Sequence, residues 1–88
     1  MLEHNDIRIV RITKHPGTNE SKIKAFVDIS LRGDFVIRGL RILEGKNGLF
    51  LGMPQTKTKD GLWYKRFYPQ TSQAARILTE VVLEAFKK

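Results

Sequence analysis

Leu40-Arg41-Ile42-Leu43-Glu44-Gly45-Lys46-Asn47-Gly48-Leu49-Phe50-Leu51-Gly52-Met53-Pro54 holds two short apolar runs on either side of Asn47-Gly48. An Asn-Gly pair is the strongest short signal for a type I′ hairpin turn, because both central residues of that turn need positive φ. Leu49, Leu51 and Met53 then alternate with Phe50 and Gly52, as a strand requires. Gly52 leaves one face without a side chain, which suits a bulge or the close approach of another backbone. Pro54 has no N–H to give to a ladder and ends the pairing. The chain before this hairpin reads as sheet. The chain after it reads as a basic loop, one more strand and one helix.

Upstream, Ile7 to Thr13 is the first strand. Ile7 and Ile9 share one parity and Val10 and Ile12 the other, so either both faces are covered or a bulge shifts the phase. His15-Pro16-Gly17-Thr18-Asn19 is a turn cluster, and Lys14 to Ser21 reads as an exposed hairpin loop. Lys22 to Leu31 is the clearest strand. Ile23, Ala25, Val27, Ile29 and Leu31 face one way, while Lys22, Lys24, Phe26, Asp28 and Ser30 face the other. Phe26 is the exception on the polar side, with two uses open to it: packing under the edge of a helix, or a subunit contact. Arg32-Gly33-Asp34 is a tight turn. Phe35 to Leu43 is the third strand, and Gly39 sits where its phase changes, the place for a bulge.

Downstream, Gln55 to Gly61 is a polar loop, with Asp60-Gly61 marking a turn. Leu62 to Tyr68 is a fifth strand, both aromatic and basic, closed by Pro69. Thr71 or Ser72 can cap the final helix with a side-chain oxygen. Ala74, Ile77, Leu78, Val81, Val82, Ala85 and Phe86 recur at helical spacing and form one apolar stripe, suited to covering the open face of a sheet. Glu80 and Glu84 can reach Arg76 and Lys87 or Lys88 along the helix surface. The expected fold is α+β: a five-stranded antiparallel meander over about residues 6–68, packed with one C-terminal helix over about 72–87, in a single domain spanning 1–88.

With 88 residues, the chain buries only about 60–65% of its unfolded surface, which makes dimerisation a natural source of added stability. It has no cysteine, which rules out a disulfide framework and a Cys-based zinc or redox site. No apolar run approaches the roughly 20 residues that span a bilayer. The acidic start Met1-Leu2-Glu3-His4-Asn5-Asp6 argues against a signal peptide, so a cytoplasmic location is expected.

The net charge is +7 and it is unevenly spread. Residues 1–44 hold eight Lys/Arg and six Asp/Glu, whereas residues 45–88 hold eight and three. Between Gly45 and Arg76 the sole acid is Asp60. A one-sided basic surface is the electrostatic footprint of polyanion binding, against the plainer reading of lysines that only solvate the protein.

Catalysis finds no candidate. His4 and His15 lie in terminal or loop positions without a second ligand at a metal-binding spacing. No nucleophile stands beside a base and an orienting group, the carboxylates are scattered, and no phosphate-cradling glycine motif precedes the helix. The chain therefore reads as non-enzymatic, with no cofactor, metal, small-molecule substrate or membrane partner. The positive signal is Lys57, Lys59, Lys65, Arg66 and Arg76. Lys57 and Lys59 lie in a loop able to follow a phosphate backbone. Lys65 and Arg66 point to opposite faces of a regular strand, so at most one of them joins a given surface with the loop unless the strand twists or bulges. Arg76 is near the helix start, where free amides favour an anion. Trp63, Tyr64 or Tyr68 can stack on unpaired bases. Trp63 and Phe67, which share a parity, read first as core or interface aromatics.

Asn47-Gly48-Leu49-Phe50-Leu51-Gly52-Met53-Pro54 resembles the hallmark segment of the SpoVG family (stage V sporulation protein G, or septation regulator). The likeness continues into Lys57-Thr58-Lys59-Asp60-Gly61 and, through Arg76 and Val81-Val82-Leu83-Glu84-Ala85-Phe86, into the helix. Lys57 matches a family basic position, Thr56 stands where a base is common, and Tyr68 stands before Pro69 where the family often has histidine. The resemblance implies a small dimeric DNA- and RNA-binding regulator. The basic loop and helix start would hold the phosphate backbone. An alternative it also implies is a protein-interaction module in a septation or sporulation assembly, whose basic patch would meet an acidic partner.

Overall fold

The computed structural model describes residues 1–15 and 22–87. Most of the loop expected over Lys14–Ser21 and the terminal Lys88 lie outside those residues. A 3-10 turn, His4–Asp6, leads into β1 (Ile7–Lys14), β2 (Ile23–Leu31), β3 (Phe35–Gly45) and β4 (Gly48–Gly52), which form one antiparallel sheet in chain order. Then follow β5 (Gln55–Lys57) and β6 (Trp63–Lys65), a separate two-stranded sheet, and α1 (Ser72–Lys87). The fold is α+β with antiparallel strands and one C-terminal helix.

The alternation in β2 places Ala25, Val27 and Ile29 under the helix. With Ile7, Leu40, Ile42 and the helical Ile77, Leu78 and Val82 they form the buried core. Each Val, Leu or Ile side chain among them contributes roughly 1.5–3 kcal/mol relative to exposure, and the Ala25 methyl less. α1 crosses this face and meets the two outermost strands, β1 and β4, and the 3-10 turn. Thr71 caps it: its Oγ1 accepts the Ala74 N–H at 3.1 Å, and its carbonyl accepts the Ala75 N–H at 3.0 Å. Glu80 reaches not along the helix to Arg76 but across to His4, whose Nε2 lies 2.8 Å from Glu80 Oε1.

The β1–β2 pair slips once and the β2–β3 pair twice, at Ile23/Ala25 and at Val27/Ile29, and two of these three slips face the same residue. The β1–β2 register slips between Ile9 and Arg11, which absorbs the parity change at Val10. The β2–β3 register slips between Val27 and Ile29, across from Arg38-Gly39. Gly39 takes φ +92°, and its N–H donates to Asp28 Oδ1 at 3.2 Å. Asp28 is the β2 residue that the Ile9/Arg11 and Val27/Ile29 slips share.

Three details differ from the sequence reading. Gly45 pairs with Gly48, so Lys46-Asn47 are the central turn residues; neither takes positive φ, and Gly48 does, at 115°. Asn47 therefore ends a two-residue loop and Gly48 opens β4, so Asn-Gly does not form the central pair of a type I′ turn. Gly52 makes room for side chains, not backbone: a Cβ there would stand 2.8 Å from Leu43 Cδ1 and 3.1 Å from Arg41 Nη2. Finally, the meander stops at β4. Met53-Pro54 breaks the ladder, and Gln55–Lys57, expected as loop, becomes the partner of a shortened fifth segment, Trp63–Lys65.

Candidate nucleic-acid interface

Beyond Pro54 the chain leaves the sheet and doubles back. The β5–β6 register pairs Gln55 with Lys65, Thr56 with Tyr64 and Lys57 with Trp63. Thr58 holds the turn: its N–H donates to the Leu62 carbonyl at 2.8 Å, and its carbonyl accepts the Gly61 N–H at 3.0 Å. Its hydroxyl oxygen accepts the Leu62 N–H at 3.2 Å. The Arg66 N–H closes the base of the hairpin on the Pro54 carbonyl at 2.7 Å. The hairpin is thus fastened by main-chain and threonine bonds, and all six strand residues are exposed.

Strand parity sorts its side chains. Lys57, Trp63 and Lys65 share one face, and Lys57 Nζ lies 5.9 Å from the Trp63 ring centroid, within cation–π range. Thr56, Tyr64 and Arg66 share the other, where Arg66 Nη1 donates to Thr56 Oγ1 at 3.2 Å. Lys59 stands in the connecting turn, next to Asp60. So Lys57 and Lys65 come together, and Arg66 stands on the reverse side, as the parity required. Arg76 is exposed on the first turns of α1, beside Gln73 and the N-terminal Leu2–Asn5 segment. None of the hairpin bases lines that surface with it.

The aromatic expectation divides. Phe67 packs against the core, while Trp63 does not: it is 61% exposed. Leu62, Tyr64 and Tyr68 are exposed with it. Trp63 sits on a hairpin that no second layer covers, so its parity carries no burial. Phe26 does not pack under the helix; it stands on the opposite sheet face with its ring 6.1 Å from that of His15. Arg8, Arg11, Arg38 and Arg41 share that second face, a grouping the charge tally of residues 1–44 conceals. Counting parity through a bulge at each of Val10 and Gly39 is the signal that finds them.

Among the described residues no cluster of His, Asp and Glu could hold a metal ion, and no helix is long and apolar enough to cross a membrane.

Comparison with known proteins places the chain. The SpoVG family model matches residues 2–88. A protein of Lachnospira eligens is 35% identical over 94% of this chain and 89% of its own length. One of Archaeoglobus fulgidus is 34% identical over 94% and 95%. One of Clostridium beijerinckii is 31% identical over 99% and 90%. Each is named "Putative septation protein SpoVG". With the hallmark segment forming the β3–β4 hairpin and the family match running almost end to end, the chain belongs to the SpoVG family.

Proposed function

We propose that this chain is a cytoplasmic, non-enzymatic, homodimeric regulator that binds nucleic acid through its phosphate backbone. One observation carries the reading. The β5–β6 hairpin presents Lys57, Lys59, Lys65 and Arg66 against the single acid Asp60, on strands whose residues are all exposed. Arg76 at the helix start adds a second point of contact. Phosphate contacts release counterions, so affinity comes with a steep salt dependence. If about four phosphates are neutralised, binding weakens on the order of a hundredfold between about 50 and 200 mM salt. The position of β1 and β4 as the outer strands of the sheet supports a dimer, since a strand edge readily meets a second copy. Fluorescence anisotropy of labelled duplex DNA and single-stranded RNA over a salt series tests the proposal. Saturable, salt-sensitive binding is the expected result, and no binding to either probe at low salt would overturn it.

A second reading has its own support. Leu62, Trp63, Tyr64 and Tyr68 expose apolar surface around the same hairpin, as a protein-docking element does. The relatives' name makes a septation assembly the natural setting, with an acidic protein as partner. Excess absorbance at 260 nm in the purified protein, removed by high salt, favours nucleic acid; its absence favours the protein partner.

A further inference from the structure

The four-stranded sheet has two faces, and α1 covers one of them. Three rungs cross the other. Arg8 lies opposite Ser30, and Ser30 opposite Val36. Arg11 lies opposite Asp28, which in turn faces the Arg38-Gly39 bulge. Phe26 lies opposite Arg41, and Arg41 opposite Gly52. Phe50, paired with Leu43, completes the face toward β4. Phe26 and Phe50 are 40% and 49% exposed.

The charge on this face is one-sided. Asp28 is the one acid among its strand positions, and its Oδ1 is already engaged by the Gly39 N–H. Among the described residues Arg8, Arg11 and Arg38 form no ion pair with an acid. A second copy docked here about a two-fold axis would set the same four guanidiniums against these four, which is repulsive. A polyanion meets them with complementary charge.

The relief of the face suits flat groups. The Phe50 ring rests over Gly45, where a Cβ would stand 3.1 Å from Phe50 Cε1. The Arg41 guanidinium rests over Gly52, with Nη2 donating to the Met53 carbonyl at 3.3 Å. Phe26 and Phe50 stand two strands and two residues apart, on the order of 10 Å by sheet geometry.

We propose that this open sheet face is a platform for single-stranded nucleic acid. Unpaired bases stack on Phe26 and Phe50, and phosphates follow Arg8, Arg11, Arg38 and Arg41. The proposal rests on the nucleic-acid reading above but uses a surface separate from the β5–β6 hairpin. A duplex keeps its base faces stacked inside, so the platform selects single strands.

The test uses the full chain, a labelled oligo(U) of about twelve nucleotides and a duplex of the same length. Phe26→Ala/Phe50→Ala is expected to weaken oligo(U) binding about tenfold or more and to leave duplex binding unchanged. Arg8→Gln/Arg38→Gln removes no apolar core contact, so it reports even if the first variant folds poorly. It is expected to lower the single-strand salt slope by about 1.4. Parent-like oligo(U) affinity and slope in both variants would overturn the platform and leave the hairpin reading standing. A parent dimer that Phe26→Ala/Phe50→Ala converts to monomer would also overturn it, because a second copy would then cover the face. A parent that binds neither probe removes the nucleic-acid reading itself, and the platform with it.

Discussion

Along β2, Ala25, Val27 and Ile29 are shut away under α1, whereas all six residues of β5 and β6 stand in water. The two regions answer to different constraints. In the sheet, side-chain identity follows from volume and parity, and any polar replacement is paid for in stability. In the hairpin, main-chain bonds and Thr58 hold the shape, and nothing in the packing calls for Lys57, Trp63, Tyr64 or Lys65. An exposed tryptophan among lysines brings little to folding, which fits the contact role proposed for the hairpin.

The largest effect expected from this contrast is in the core. Ile29→Ala or Leu40→Ala, at fully buried positions, is expected to cost about 2–5 kcal/mol in denaturant unfolding. Next comes Gly39→Ala. The new Cβ would meet only Pro54 Cβ at an ordinary 3.9 Å, but φ +92° strains any L side chain. A loss of about 1–2 kcal/mol is expected, arising from backbone conformation and not from crowding. Thr71→Ala removes the helix cap seen at Ala74 and should cost about 1 kcal/mol, readable as a lowered Tm. The smallest change belongs to the hairpin: Trp63→Ala should move stability by no more than about 0.5 kcal/mol. A loss there as large as at Ile29 would break the contrast, because Trp63 would then be structural.

Most of the body was legible in the sequence because burial on one face imposes period-two alternation, and β2 shows it from Ala25 to Leu31, although the slip at Ile23/Ala25 takes Ile23 out of the expected series. The bulge at Gly39 was legible for the same reason: Phe35 and Ile37 share one parity, Leu40 and Ile42 the other, and a glycine stands between. The Asn47-Gly48 turn type was not, since the dipeptide can fill both central positions or straddle the end of the loop, and only the Gly45–Gly48 pairing distinguishes the two. The partner of the last strand was also hidden. Gln55–Lys57 is too short and too polar to announce itself, and β6 carries no alternation that selects β4 over β5. For the candidate interface, parity separated Lys65 from Arg66 correctly. It could not tell that Arg76 lies beside residues 2–5, because that neighbourhood depends on how α1 crosses the sheet. Nor did it gather the four arginines of the open sheet face, whose common side emerges only after two bulges are counted.

Whether the hairpin bases bind phosphate and do not stabilise the fold is decided by the salt slope of nucleic-acid binding in Lys57→Gln/Lys59→Gln. Measured by anisotropy on duplex DNA, the slope should fall by about 1.8 relative to the parent protein. An unchanged slope in a protein that still binds would take both lysines out of the interface and contradict the account.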